Sequence, residues 1–443
     1  MWFPDNSALP DWVSYSRIDD EFWIIDHRND SLLKLNSAAS AIFAKLITGV
    51  CLDEVETRFV QEQLASVITF AGDQIKGKLA TAADPSDPYG AFRYLRELAL
   101  YKCTPLFATL ELTYRCNLDC CHCYRPHEPS ETMPLARWKS LVAELKQIGT
   151  LSLALTGGEP LAWPHFRELV TAVRALRMAF LVKTNGWLLD DSLCEFLAQH
   201  YVTEVHVSMY GGAPSSHDAV TRCPGSFKRA RRAIKRCAAA GIPVQISCIL
   251  TRSTWREYEA VARIADELEV GVGFNPVIMP SAEGAVDYEA LRLTPEQIRH
   301  FCHLCIGDSP LLKVLRFPGH PVCSAARSNC SIAPDGRVYP CNGYWYATST
   351  ESVLERPFDE VWRSSPILKQ VRDLTNADLA QCSACTHFAF CPRCPGMGHA
   401  ETGEVAGIAP GDCLYARAFH RGHQEQPPAV LFAQAGSFGS RCQ

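Results

Sequence analysis

From about Leu106 to Val277 the apolar residues switch repeatedly between alternate spacing and helical spacing, and nothing else in the chain restricts the fold as strongly. "LFATLELT" has the aromatic and β-branched content of a strand. In "MPLARWKSLVAELKQIG", Leu135, Trp138, Leu141, Val142, Leu145 and Ile148 recur at helical spacing, and Gly149 is a stop signal. The strand-like "LSLALT", "AFLVKT", "EVHVSM", "VQISCIL" and "VGVGFNPV" then alternate with the helical "HFRELVTAVRALR", "DSLCEFLAQH", "SFKRARRAIKRCAAAG" and "WREYEAVARIADELE". Six such units predict a parallel α/β sheet with its site at the strand C-termini. A closed barrel of this kind needs eight, so the expected shape is an open, partial (β/α)6 barrel.

The chain has 443 residues, enough for two or three domains with their own cores. Its net charge of -5 argues against a nucleic-acid surface. No stretch approaches a spanning length of apolar residues, so no membrane span is expected. The start, "MWFPDNSALPDWV", has no basic segment followed by an apolar one, so no secretory signal is expected and the cytoplasm is the expected compartment. In a reducing compartment, 21 cysteines point to metal or cluster ligands rather than to disulfides.

The cysteines cluster. Cys116, Cys120, Cys121 and Cys123 lie in "TYRCNLDCCHCYRP", directly after the first barrel strand. Cys116, Cys120 and Cys123 have C-x3-C-x2-C spacing, which lets a short loop turn three thiolates to one centre; a zinc knuckle is the competing reading. With the trailing Tyr124, this stretch resembles the signature of radical S-adenosylmethionine (SAM) enzymes. The resemblance implies a [4Fe–4S] cluster on these three cysteines, with the fourth iron chelating SAM and Cys121 outside the site. "TGGEP" ends the second strand, and by the same resemblance Gly157, Gly158 and Glu159 hold the methionine amine, Glu159 accepting from the ammonium. Asn185 in "KTNG" ends the third strand, and Ser208, Ser247 and Val277 match positions that meet ribose and adenine. The family often has Asp-Gly where this chain has Tyr210 and Gly211.

A second cysteine pattern follows. "CSAARSNCSIAPDGRVYPC" places Cys323, Cys330 and Cys341 around a "PDG" turn, which predicts a hairpin. "CSACTHFAFCPRC" adds Cys382, Cys385, Cys391 and Cys394, with Cys413 beyond. Paired C-x2-C spacings also suit zinc ribbons. The set resembles the SPASM domain of peptide-modifying radical SAM enzymes, with two residues rather than the usual three between Cys391 and Cys394. The resemblance implies one auxiliary [4Fe–4S] cluster on Cys323, Cys330, Cys341 and Cys394, and another on Cys382, Cys385, Cys391 and Cys413, making three clusters in all.

Residues 1–100 differ in kind. "WVSYSRI", "EFWIIDH" and "SLLKLN" read as short strands, and "LNSAASAIFAKLITG" as a helix capped by Ser37. This winged-helix-like α+β layout resembles the recognition element related to the PQQ-pathway peptide chaperone. It implies binding of a precursor peptide; a structural cap and DNA binding are the alternatives. Nine Lys+Arg against fifteen Asp+Glu in this segment is the wrong sign for DNA. The expected domains are 1–100 for recognition, 104–300 for the barrel and 315–423 for the auxiliary clusters, with 424–443 a loosely ordered tail.

Together the resemblances imply an enzyme that reductively cleaves SAM to a 5′-deoxyadenosyl radical and oxidatively matures a ribosomally made peptide. A reduced flavodoxin or ferredoxin-type protein would donate electrons. A folded protein subunit or small metabolite as substrate, and a non-enzymatic zinc-stabilised peptide binder, are the rival readings. Cys223 is a candidate hydrogen donor, Arg222 and Asp218 read as structural or SAM-proximal, and Cys302 and Cys305 read as helix packing. "RARRAIKR" reads as a solvated helix face, and Trp345 and Tyr346 as channel or cluster cover.

Overall fold

A computed structural model of the chain describes residues 13–18, 21–27, 31–35, 40–41, 44, 90–125, 132–280, 287–305, 318–344 and 350–424. Strands β1 (Val13–Ile18), β2 (Glu21–Asp26) and β3 (Ser31–Lys34) form an antiparallel sheet in that order. The barrel strands are β4 (Phe107–Glu111), β5 (Ser152–Thr156), β6 (Ala179–Thr184), β7 (Glu204–Ser208), β8 (Val244–Ile249) and β9 (Gly271–Asn275). They pair in parallel in sequence order. Their connecting helices, such as Leu135–Gln147 and Phe166–Ala175, bury one stripe against the sheet, as the spacing of Trp138, Leu141, Val142 and Leu145 requires.

The β4 edge of this sheet continues into the C-terminal region. Strand β10 (Asn329–Ile332) runs parallel to β4, and β11 (Val338–Tyr339) returns antiparallel to β10 around Pro334, Asp335 and Gly336. The hairpin expected from "PDG" is thus part of the barrel sheet, not of a separate module. Gly336 has φ +83°, a left-handed turn conformation that favours glycine.

The N-terminal sheet docks on the opposite end of the barrel from the strand C-termini. Ile18 and Trp23 pack with Leu95 and Ala99 of the helix Gly90–Lys102, and with Leu106 and Leu151, which precede β4 and β5. The Tyr15 amide donates to Arg177 O at 3.0 Å, and Arg174 donates to Ser14 Oγ at 2.5 Å. Of the expected winged-helix-like domain, the three strands and the helix Gly90–Lys102 are described; Ser37 and nearly all of "LNSAASAIFAKLITG" lie outside the described residues, as do Trp345, Tyr346 and the tail after Gln424. Among the described residues, no helix is long and apolar enough to cross a membrane.

Candidate functional site

The loop Thr113–Arg125 leaves β4 at its C-terminal end and is sewn down on both sides. Asp119 N donates to Thr221 O (3.2 Å) and Cys121 N to Val220 O (2.9 Å), both on the helix Pro214–Thr221. Cys123 N closes back onto Cys120 O at 3.0 Å. On the other side, a Cβ on Gly157 would meet Thr113 O at 2.2 Å, and one on Gly158 would meet Arg115 O at 2.5 Å. The close approach that these glycines permit is therefore to the chain's own β4 loop, where the sequence suggested a ligand.

This folding brings Cys116, Cys120 and Cys123 together. Burial pushes the Cys120 thiol up, and Cys123 and Cys116 push it further. Cys116 Sγ accepts from Leu118 N at 3.4 Å, and the Arg125 amide likewise favours the Cys123 thiolate. Cys121 also acts on Cys120; after burial, the strongest influence on Cys121 itself is Arg222, which bonds Asp119 at 3.2 Å. Three thiols gathered on one loop, Cys116 exposed and Cys120 and Cys123 half-buried, suit a thiolate-bound iron–sulfur group.

His122 is buried edge-on against Tyr210, with ring centroids 4.6 Å apart, and burial holds its imidazole down to about 4. Tyr210 thus fills space beside the cysteine loop, at the position where the sequence departs from Asp-Gly. Tyr124 and Arg125 lead into a buried network that sequence reasoning missed. Arg125 pairs with Glu111 at the end of β4, and Glu111 also accepts from Tyr114 Oη and Ser331 Oγ at 2.9 Å each. The Arg125 guanidinium lies 4.7 Å from the Tyr124 ring centroid and also favours the thiolates of Cys123 and Cys341. Removing one partner of such a pair costs about 3–5 kcal/mol.

The Glu159 carboxylate is fully buried and accepts from Thr184 Oγ1 (2.7 Å), Asn185 N (2.8 Å) and Leu161 N (3.1 Å). Burial pushes it up to about 7 despite these donors. The side chain ties the ends of β5 and β6 together. Asn185 reaches the cysteine loop, its Nδ2 donating to Asn117 Oδ1 at 2.9 Å and contacting Cys116 Sγ at 3.8 Å. Ser208 and Ser247 are register partners on β7 and β8, so they share one face of the sheet at its C-terminal end. Val277 follows β9 half-buried, its amide held by Asn275 Oδ1 at 2.9 Å. Asp218 accepts from Gly225 N, Ser226 Oγ and Phe227 N at 2.7–2.8 Å, a structural turn. Cys223 is half-buried in that turn. The "RARRAIKR" face is only partly solvated: Arg231 pairs with Glu267 at 2.6 Å and Arg236 with Asp191 at 2.9 Å. The Cys302 and Cys305 side chains lie outside the described residues.

In the C-terminal region, burial pushes the Cys341 thiol up, and Cys394 and Cys323 push it further. Cys394 is pushed up to about 11, by burial first and then by Asp412. Each of the three accepts a backbone N–H: Cys323 from Ala325 (3.4 Å), Cys341 from Gly343 (3.3 Å) and Cys394 from Met397 (3.4 Å). Cys330 does not join them. Ser331 points at Glu111, so strand alternation turns Cys330 and Ile332 to the opposite face, into the apolar core. Cys341, two residues past Ser331's partner Tyr339, returns to the Glu111–Arg125 side. Burial alone raises the Cys330 thiol, with no other thiol contributing. The expected fourth ligand is therefore a core residue.

The other set gathers around the start of the helix Pro410–Gln424. Burial raises the Cys413 thiol, with Cys382 and Cys385 adding to it, and Cys391 Sγ lies 4.0 Å from Asp412 O. Asp412 Oδ2 accepts from Cys394 N at 2.7 Å, so this buried acid, pushed up to about 6 by burial, links the two sets. No spacing rule marked it. Among the described residues, no three His, Cys, Asp or Glu side chains lie at the spacing of a single metal ion.

The radical SAM superfamily profile matches residues 110–265, and the SPASM iron–sulfur cluster-binding domain matches residues 323–386. The chain is 30% identical over 308 residues to the mycofactocin maturase MftC of Mycobacterium ulcerans, covering 65% of this chain and 82% of that one. It is 25% identical over 279 residues to the PqqA peptide cyclase of Rhizobium meliloti, covering 59% and 74%. Its fold matches that of Streptococcus suis SuiB bound to precursor peptide SuiA, with TM-score 0.63, 16% identity, and coverage of 92% and 99%.

Proposed function

The chain belongs to the radical SAM superfamily and carries a SPASM domain, and from that premise we propose that it is a peptide maturase that cleaves SAM and oxidatively modifies a ribosomally made precursor. The observation that carries this reading is the thiol trio gathered at the C-terminal end of β4, with Cys116 exposed and Cys120 and Cys123 half-buried. Membership in the family removes the non-enzymatic zinc reading. The relatives named for a maturase and a peptide cyclase favour a peptide over a metabolite.

Cys116, Cys120 and Cys123 would hold the SAM-binding cluster. Bound there, a four-iron cluster supplies the electron that splits SAM and so the carbon radical that takes a substrate hydrogen. The chain's own part is placement. Gly157 and Gly158 lock the β4 and β5 loops together, Glu159 and Asn185 fix the β6 loop against Cys116, and Ser208 and Ser247 present hydroxyls for the ribose. His122, Tyr210 and the apolar strands exclude water.

Cys323, Cys341 and Cys394 would hold one auxiliary cluster by three thiolates, and Cys382, Cys385, Cys391 and Cys413 the other. With Cys330 turned away, one iron of the first auxiliary cluster would have no cysteine among the described residues. Clusters held by these residues would supply an acceptor for the one electron that bond formation on the peptide releases, and a reduced flavodoxin or ferredoxin-type protein would be the donor for SAM cleavage.

The N-terminal sheet would add the peptide as a strand. The outer edge of β1 is already used at Tyr15, which leaves β3 (Ser31–Lys34) as the docking edge. The test is anaerobic reconstitution with iron and sulfide, followed by SAM and a low-potential reductant. Formation of 5′-deoxyadenosine is expected, and a fully loaded enzyme that forms none would defeat the reading.

A further inference from the structure

Of the buried C-terminal hydrogen-bond donors that lack an acceptor among the described residues, two adjoin the cysteines in sequence. Tyr344 is completely buried, and its hydroxyl has no partner. Arg393 is 2% exposed; its Nη2 donates to Ala406 O at 2.8 Å, while Nε and Nη1 donate to nothing. A buried hydroxyl left unbonded is destabilising, and a buried cation short of partners is more so. Asp412 acts on the Arg393 charge, but it makes no hydrogen bond to the guanidinium and accepts instead from the Cys394 amide.

Tyr344 lies at the three thiols, and Arg393 acts on Tyr344 and directly precedes Cys394. Tyr344 follows Cys341 by three residues, its amide donating to Cys341 O at 3.1 Å. Cys323, Cys341 and Cys394 all act on its hydroxyl electrostatically, and so does Arg393. Arg393 occupies the shortened spacing between Cys391 and Cys394, and its φ of +43° is a left-handed conformation that few non-glycine residues adopt. The donors therefore lack an acceptor where the thiols lack a cation. One object satisfies both needs: a thiolate-bound iron–sulfur group, whose iron neutralises the thiols and whose sulfurs accept hydrogen bonds while it carries net negative charge.

We propose that Tyr344 and Arg393 are cofactor-contacting residues, which donate hydrogen bonds to the anionic iron–sulfur group on Cys323, Cys341 and Cys394. This rests on the reading that those three cysteines hold a cluster. Reduction adds one electron and no proton to such a group, so the two donors stabilise the reduced form more than the oxidised form. They hold the auxiliary potential up, in a site where burial and thiolate charge drive it down.

The test uses the reconstituted holoenzyme, with Tyr344→Phe and Arg393→Lys made singly. Cys341→Ser identifies which EPR signal belongs to this site. Proton ENDOR of that signal before and after exchange into deuterated water should show exchangeable couplings in the wild type, with one lost in Tyr344→Phe. An EPR-monitored redox titration should show each variant harder to reduce, by about tenfold in the equilibrium, or about 59 mV for one electron. Unchanged couplings and potentials at equal iron content would overturn the proposal and assign the hydroxyl to a buried water. If Arg393→Lys fails to load iron, Tyr344→Phe decides alone. A holoenzyme in which Cys341→Ser removes no signal would overturn the cluster assignment as well, and so separates the two failures.

Discussion

The two cysteine trios arrive at similar electrostatics by different routes. Cys116, Cys120 and Cys123 sit within eight residues of one loop, and the fold needs only to hold that loop still. Cys323, Cys341 and Cys394 come from the two arms of a hairpin and from a segment more than fifty residues further on. Their convergence depends on β10 pairing with β4 and on the helix Pro410–Gln424 presenting Asp412 to the Cys394 amide. The first trio is a local motif supported by the barrel, whereas the second is a product of tertiary structure. Local sites survive loss of distant packing; assembled sites do not.

The comparison breaks first at the cysteines themselves. Cys116→Ala, Cys120→Ala or Cys123→Ala should abolish 5′-deoxyadenosine formation, whereas Cys121→Ala should retain it, as read by chromatography of quenched reactions. Loss in the Cys121 variant with retention in Cys116→Ala would reverse the assignment.

A smaller effect is expected in the core. Cys330→Ser should lower stability by about 1–3 kcal/mol, because it leaves a hydroxyl unbonded among apolar side chains. Iron content and EPR should not change. A Cys330→Ser enzyme short of iron but normally stable would restore it as a ligand.

Glu159 sharpens the contrast through pH. Held up to about 7 in the folded chain against an ordinary 4.5, it keeps a proton that the unfolded chain releases. The wild type therefore loses stability as pH rises from about 4.5 to 7, by at most about 3 kcal/mol. Glu159→Gln has no such slope, so the gap between the urea midpoints of the two should move in the variant's favour across that window. A constant gap would contradict the burial argument.

The smallest effect belongs to the Arg222–Asp119 pair, exposed on both sides. Arg222→Gln should change stability by less than about 1 kcal/mol, with a difference that vanishes at high salt. A larger, salt-resistant loss would mean that this pair, rather than the backbone bonds to Thr221 and Val220, anchors the cysteine loop.

Legibility in the sequence followed the same division. The six barrel strands could be read because each carries a period-two run bounded by a helix of matching spacing. The C-x3-C-x2-C loop could be read because its ligands are sequence neighbours. Cys330 misled because spacing along the chain does not reveal which face of β10 a residue takes; that is set by Ser331 reaching Glu111 on another strand. Glu111, Arg125 and Asp412 were invisible for the same reason, since lone charged residues acquire their role only when packing brings partners from distant segments. The tie that Glu159 makes between strand ends was invisible too, because its three donors come from the end of β6 and the turn after β5.

The most direct test of the account is the EPR spectrum of the reduced holoenzyme, recorded with and without SAM. It should be taken for wild type, for the Cys116→Ala, Cys120→Ala, Cys123→Ala triple variant and for the Cys323→Ala, Cys341→Ala, Cys394→Ala triple variant. The account predicts a signal that SAM perturbs in the wild type, that disappears in the first variant and that persists, still SAM-sensitive, in the second. A SAM-sensitive signal that survives loss of the first trio, or vanishes only with the second, would contradict it.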